Sequence, residues 1–303
     1  MAKAAWQESE SPQLPFRIGC PVWNCEHWGG SVYPSKTPRR DWLSWYSRTF
    51  NTVEGNNSFY AIPALQHAER WAKESADGFE FCMKVPREIT HDRILADASR
   101  PTSGFIEVLR VLQAGGCLGP SFLQLGPTFG PSLFRNLETY LDEWPEDLPL
   151  AVEVRHLGWF DESANELRLD QLLSAKGMDR VLFDSRPLYQ SEPDDEIERV
   201  SQTRKPKSPL RHTVSGQRPM LRIVGRNRVD LVEPFIQEWT PIIAGWIQDG
   251  LEPIIFTHAP DDRYAPQFAR RFYQALVFEL PKGLVPESLP TIPKQPQQLD
   301  LFG

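Results

Sequence analysis

Leu150–Phe160 reads LAVEVRHLGWF, and the fold follows from how that stretch is parsed. Leu150, Val152 and Val154 alternate with Ala151, Glu153 and Arg155. A period of two puts the aliphatic side chains on one face of a strand and the carboxylate and guanidinium on the other. His156 and Trp159 follow where the strand runs out into a loop. A sheet with one face in water would give the same alternation. The rest of the chain argues against that, because seven further stretches share the plan. Each is a short apolar strand with polar residues near its C-terminal end, followed by a helical or loop segment. Parallel strands closed into a barrel present an active site in this way.

Outward from 150–155, strands are predicted over 16–20, 51–56, 79–85, 121–125, 180–184, 220–224 and 253–257. Helical spacing falls between them, as in 39–50, where Trp42, Trp45 and Tyr46 form a core-type stripe. The prediction is a single-domain (β/α)8 barrel over 16–280. A doubly wound open sheet would normally carry a Gly-rich turn after its first strand. Gly19-Cys20-Pro21-Val22-Trp23 is no such turn. Residues 186–219 break the alternation: an acidic run over 192–198 is followed by Lys and Arg scattered among prolines. With no period to read, the expectation is a long irregular loop, or lid, in place of helix six. Residues 1–15 are expected to be a disordered lead-in. Residues 281–303, rich in Pro and Gln, are expected to be a disordered tail.

Composition narrows the class. A chain of 303 residues with 40% hydrophobic and 24% charged residues is ordinary for a globular protein. A net charge of −7 argues against a surface that coats nucleic acid generally, though a local basic patch is compatible with it. No apolar run is long enough to span a bilayer, so no membrane role is expected. The first fifteen residues lack the apolar core of a signal peptide. Cys20, Cys25, Cys82 and Cys117 have neither metal-type nor redox spacing. Together these features predict a cytoplasmic location.

Four blocks carry a resemblance: TVEGNNSFYAIP (52–63), FCMKVPREITHDRIL (81–95), FLQLGPTF (122–129) and AVEVRHLGWF (151–160). In content and order they resemble the hallmark blocks of domain-of-unknown-function family 72, the YecE-like proteins. The resemblance covers roughly 16–278 and implies a TIM-type barrel, in agreement with the strand count. It brings no activity with it. The chain departs from the family pattern at 222–226 and 257–260.

Candidate site residues come from the strand ends. Inward-facing candidates are Glu54, Asn56, Lys84, Gln124, Glu153, Arg155, Asp184, Arg222 and His258, with Trp23, His27, Tyr60, Arg87, His91, Asp92 and His156 added by loops. Ionisable groups inside a narrow barrel are costly unless paired. One reading makes Glu54–Lys84 and Glu153–Arg155 buried pairs that hold the barrel top together. The functional reading turns all of them into one mouth. Acid–base chemistry on a phosphorylated or otherwise anionic substrate, by a hydrolase or lyase, would use Glu54, Glu153, His91, His156 and Asp184 as catalytic groups. Trp23, Asn56, Tyr60, Lys84, Arg87, Gln124, Arg155 and Arg222 would bind the substrate, Arg through its bidentate fork. A divalent metal would take Glu153, Asp184 and His258 as ligands. Glycoside hydrolysis by Glu54 and Glu153 is disfavoured, since strands two and five lie far apart around the ring. The alternative to an enzyme is a module that binds an anionic small molecule or nucleic acid without turnover.

The tail adds a partner. Gln298-Leu299-Asp300-Leu301-Phe302 follows a Pro-rich spacer. It resembles the pentapeptide by which bacterial replication and repair proteins dock on the DNA sliding clamp. Leu301 and Phe302 would be apolar anchors, Gln298 would supply an amide hydrogen bond, and the spacer would give reach. On that reading Arg204, Lys205, Lys207 and Arg211 of the lid would contact a nucleic-acid backbone.

Overall fold

Strands that are buried along their whole length are the signature of a parallel sheet covered on both faces. In the computed structural model, which describes residues 10–292, β2 (Thr52–Gly55), β4 (Ser121–Gln124), β5 (Leu150–Glu153), β6 (Asp179–Asp184), β7 (Met220–Val224) and β8 (Ile254–His258) are buried throughout. Strands β1 (Arg17–Cys20) and β3 (Glu80–Met83) are buried but for their first residue. All eight are parallel, in the order β3-β2-β1-β8-β7-β6-β5-β4. Strands β3 and β4 close the ring through two separate bridges, Phe81↔Leu118 and Lys84↔Phe122. The (β/α)8 prediction holds.

Helices cover the outside: α1 (Trp42–Thr49), α2 (Leu65–Glu74), α3 (Ser99–Ala114), α4 (Phe134–Glu143), α5 (Ala164–Ala175), α6 (Arg186–Tyr189), α7 (Glu196–Arg204), α8 (Glu233–Gln248) and α9 (Ala265–Glu279). The larger apolar cluster lies between helices and strands, and takes Phe81, Leu123, Val152, Leu182, Ile223 and Ile255 from the outward faces. A smaller one, Cys82, Phe122, Ala151, Val181, Met220, Ile254 and Phe256, fills the barrel. Each aliphatic side chain so buried contributes about 1.5–3 kcal/mol. Close approach also restricts choice: a Cβ on Gly19 would stand 2.1 Å from the Thr52 carbonyl oxygen of the neighbouring strand. Tyr46 of α1 accepts a hydrogen bond from the Cys20 amide and donates one to the Thr52 carbonyl, locking that junction.

Residues 186–219 are more regular than their composition suggests. They form α6 and α7, and the acidic run supplies the N-terminal cap of α7. The Asp195 carboxylate accepts from the Glu198 amide at 2.8 Å, and Glu198 accepts from the Asp194 amide at 2.8 Å, a variant of the capping box. Glu198 is fully buried against Arg226, which is itself fully buried. The flanks also extend the packed body. Ser11 and Leu14 are buried ahead of β1, and Val285 and Leu289 are buried beyond α9. Arg270 of α9 donates to the carbonyls of Leu289 and Pro290. Residues 10–15 and 281–292, expected as lead-in and tail, therefore pack on the barrel. The pentapeptide at 298–302 lies outside the described residues.

Candidate active site

The period of two, carried along each strand, aims one set of ionisable groups at the C-terminal mouth. Arg222 of β7 is the hub. Its guanidinium donates to both oxygens of Glu54, at 2.8 and 2.7 Å, and also bonds Glu153. Arg155 donates to Glu153 at 2.7 Å and to Gln124 at 2.7 Å. His258 Nε2 lies 2.9 Å from Glu54, and Asn56 donates to Glu54 at 2.7 Å. An ionised carboxylate only accepts, which assigns the proton of His258 to Nε2. The expected pairing is thus partly corrected. Glu153–Arg155 forms, but Glu54 pairs with Arg222 and His258, not with Lys84.

Lys84 stands one residue past β3, with Nζ 3.9 Å from the ring centre of Phe59 and 5.9 Å from that of Phe122. Among the described residues it has no ion-pair partner. Burial, reinforced by Arg222 and outweighing Glu54 and Glu153, pushes its amine down to about 7. Burial alone would raise the two glutamates, but their guanidinium partners win: Glu54 is held well below the usual carboxylate range and Glu153 at about 2. Burial also lowers His258, keeping it neutral near pH 7.

These groups open into a cavity of about 720 Å³. Glu54, Asn56, Lys84, Gln124, Arg155, Arg222 and His258 line it, as the period predicts, with Tyr60 from the loop after β2. Its outer wall is one face of α7, Glu196, Ile197, Val200, Ser201 and Arg204, followed by Lys205. Lys205, half-buried and without an ion-pair partner among the described residues, is pushed down by burial and by Arg222. Asp262, raised by burial to about 6, completes the rim. Glu153 lies behind Arg155 and Arg222 and orients them.

Other candidates stand elsewhere. Asp184 faces the helices: its register partner is the core residue Ile223, and its carboxylate takes hydrogen bonds from Arg186 and Trp239. Phe183 takes the inward place, 5.4 Å from the Arg155 guanidinium and 5.7 Å from that of Arg222. His156 accepts from the Gly158 amide and packs on Gly130, capping a turn. Trp23 packs edge-on against Trp71 and Phe81 in the outer layer. Arg87 is exposed and pairs with Asp92. His91 is half-buried against Phe59, just outside the lining, and is lowered by burial and Lys84. Arg211 is spent on Glu166, and Lys207 lies over Tyr189, so of the four basic lid residues only Arg204 and Lys205 reach the mouth.

The metal set does not assemble. Asp184 is on the wrong face, Glu153 is held by two guanidiniums, and His258 is bonded to Glu54. Among the described residues no group of three His, Cys, Asp or Glu side chains could hold an ion. The two glutamates are also closer than their strand numbers imply, since one guanidinium bridges them. Phe59, Phe183, Ile197, Val200 and Asp262 were not singled out from sequence. Parity along β6 would have found Phe183, and the helical spacing of Ile197 and Val200 would have found the lid face.

A ring of parallel strands whose inward side chains meet in one charged mouth defines a TIM-type barrel protein. The chain belongs to the DUF72 family, a protein family of unknown function, whose pattern matches residues 17–294. UPF0759 protein YecE of Escherichia coli K12 is 32% identical over 285 residues, covering 94% of this chain and 99% of its own. YunF of Bacillus subtilis is 31% identical over 160 residues, covering 50% of this chain and 55% of its own. A crystal structure of a DUF72 family protein from Enterococcus faecalis V583 superposes with a TM-score of 0.64 at 17% identity, over 91% of this chain and 100% of that one. One from Thermotoga maritima MSB8 gives 0.61 at 18% identity, over 84% and 98%. No helix among the described residues is long and apolar enough to cross a membrane.

Proposed function

We propose that the barrel is an enzyme, a hydrolase or lyase, acting on a phosphorylated or otherwise anionic small molecule held between the strand ends and α7. One observation carries this reading. Arg155 and Arg222 are balanced by Glu54 and Glu153, yet Lys84 and Lys205 face the same cavity with no carboxylate in ion-pair contact among the described residues. A bound anion would supply the missing charge, and the low local dielectric would strengthen its hold. Proton transfer falls to the groups whose environments place them near neutrality, Lys84 at about 7 and Asp262 at about 6, because Glu54 and Glu153 stay ionised. A module that only senses an anion needs cations alone, so these titrating groups favour chemistry.

The test is thermal unfolding with inorganic phosphate, pyruvate, a sugar phosphate and a mononucleotide. At least one should raise the melting temperature, and Lys205→Met should abolish the rise. If no anion has an effect, or if Lys205→Met responds as the native protein does, the reading is wrong. Four free cysteines, three of them buried, are in keeping with a cytoplasmic setting. Docking of residues 298–302 on a bacterial sliding clamp rests on those residues alone. Equal affinity for the native 290–303 peptide and one with Leu301 and Phe302 changed to Ala would exclude it.

A further inference from the structure

We propose that Lys84 is an amine nucleophile that captures the carbonyl carbon of an anionic oxo compound as an imine. This deepens the anionic-substrate reading and rests on it for the anion half of the ligand. The geometry comes first. Lys84 lines the cavity from the end of β3, together with Gln124 from β4, Arg222 from β7 and His258 from β8. Its Nζ lies 3.9 Å from the ring centre of Phe59 and 5.9 Å from that of Phe122, and no carboxylate among the described residues is in ion-pair contact with it. Arg155 stands beside it with Nε and one terminal nitrogen bonded to Glu153 and Gln124, and its other terminal nitrogen is the one a carboxylate or phosphate would meet. A substrate anchored by its anion at Arg155 or Lys205 would bring its carbonyl within the same small space.

The charged groups around the amine act together. Arg222, Arg155 and the half-buried His91 face it from β7, the end of β5 and the loop after β3, and Glu54 and Glu153 face it from β2 and β5. Burial and the cations prevail and push the amine down to about 7, so far more of Lys84 is uncharged at neutral pH than the roughly one part in a few thousand of an ordinary lysine. The chemistry balances without a redox partner. The Nζ lone pair adds to the carbonyl carbon while the C=O π pair moves to oxygen, which takes a proton. The nitrogen loses a proton, giving the carbinolamine. Its lone pair then expels the hydroxyl, protonated, as water and leaves the iminium. That cation is an electron sink for cleavage or proton loss at the adjacent carbon, which places the reaction among the lyases.

The experiment treats the full-length protein with pyruvate and sodium cyanoborohydride, whose hydride converts the iminium to a stable secondary amine. The adduct is mapped by peptide mass spectrometry. Lys84 should be modified roughly tenfold or more faster than the exposed Lys36, Lys73 and Lys282, with a rate that rises through about pH 7. Modification of the surface lysines at equal or greater rate, or an unmodified Lys84, would overturn the proposal. Mapping on the native chain keeps the test independent of whether Lys84→Met folds. Acetone, a neutral carbonyl, separates the two readings. Equal labelling of Lys84 by acetone and pyruvate would uphold the imine and remove the anionic substrate. Thermal stabilisation by pyruvate without labelling would do the reverse.

Discussion

The two ends of the barrel are built from the same parts. At the N-terminal end Glu80 pairs with Arg17 at 2.8 Å and with Arg218 at 2.6 Å, and Arg218 also reaches Glu252 at 3.5 Å. At the C-terminal end Arg222 and Arg155 bind Glu54 and Glu153. Each end thus pairs two arginines with two glutamates, and the lower end adds the buried Asp179, which accepts from the Arg218 amide. The difference lies in water and in what is added. The lower ion pairs keep between 15% and 62% of their side chains exposed, whereas Arg222, Glu54 and Glu153 keep at most 3%. Only the upper end adds two lysines outside the paired set. The surplus at one end is what marks the site.

Removing a hub should break this comparison most visibly. Arg222→Leu removes the guanidinium shared by two buried carboxylates and should cost about 3–5 kcal/mol by urea unfolding. Arg218→Leu, at the wetter end, should cost about 1 kcal/mol. Equal losses would mean that the two ends are equivalent.

A smaller effect tests the added charge. The Lys84 amine is pushed down on folding, so between about pH 7 and the ordinary lysine range the unfolded chain binds more protons than the folded one. Stability from this group therefore rises with pH across that window. Its penalty is full below about pH 7, where both states are charged. Lys84→Met should raise the melting temperature at pH 6 by at least about 2 °C, and the gain should fade towards pH 10. A gain that does not change with pH would place the effect in packing instead.

The smallest effect is expected from residues the structure places outside the mouth. His156→Ala should leave the thermal response to anions unchanged within roughly twofold, at a stability cost of about 1 kcal/mol for the lost turn hydrogen bond. Loss of the anion response in this variant would move the site boundary outward.

Most of the mouth was legible because two-residue parity is a local property. Glu54, Lys84, Gln124, Glu153, Arg222 and His258 each fall on the inward parity of a strand whose hydrophobic partners are close in sequence. Asp184 was misplaced by assigning direction from polarity, although Val181 and Phe183 set the inward parity of β6. An outward acid survives there because Arg186 and the Trp239 indole satisfy it, and Trp239 is 55 residues away. The lid helix was hidden for the same kind of reason. Glu198 looks like one more solvated charge in an acidic run until Arg226, 28 residues on, takes it into the interior. Contacts of that range leave no periodic trace. The Asp195–Glu198 cap did leave a local signal, but the flanking prolines and acids masked it.

The paired bridges between β3 and β4 bear on how this chain could be re-cut. Every other neighbouring pair in the ring is joined by a run of register, but this join relies on Phe81↔Leu118, Lys84↔Phe122 and the covalent link through α3. A circular permutant opened at Gly115-Gly116 would lose the tether across the least continuous join. The same gene opened between α7 and β7 would not. Because Lys84 is itself one half of a bridge, a gap there would separate its backbone from Phe122 and admit solvent beside the amine. A chain that keeps the third and fourth strands in one piece should therefore melt higher than one cut between them, a constraint on the order of the gene that lies in the backbone join.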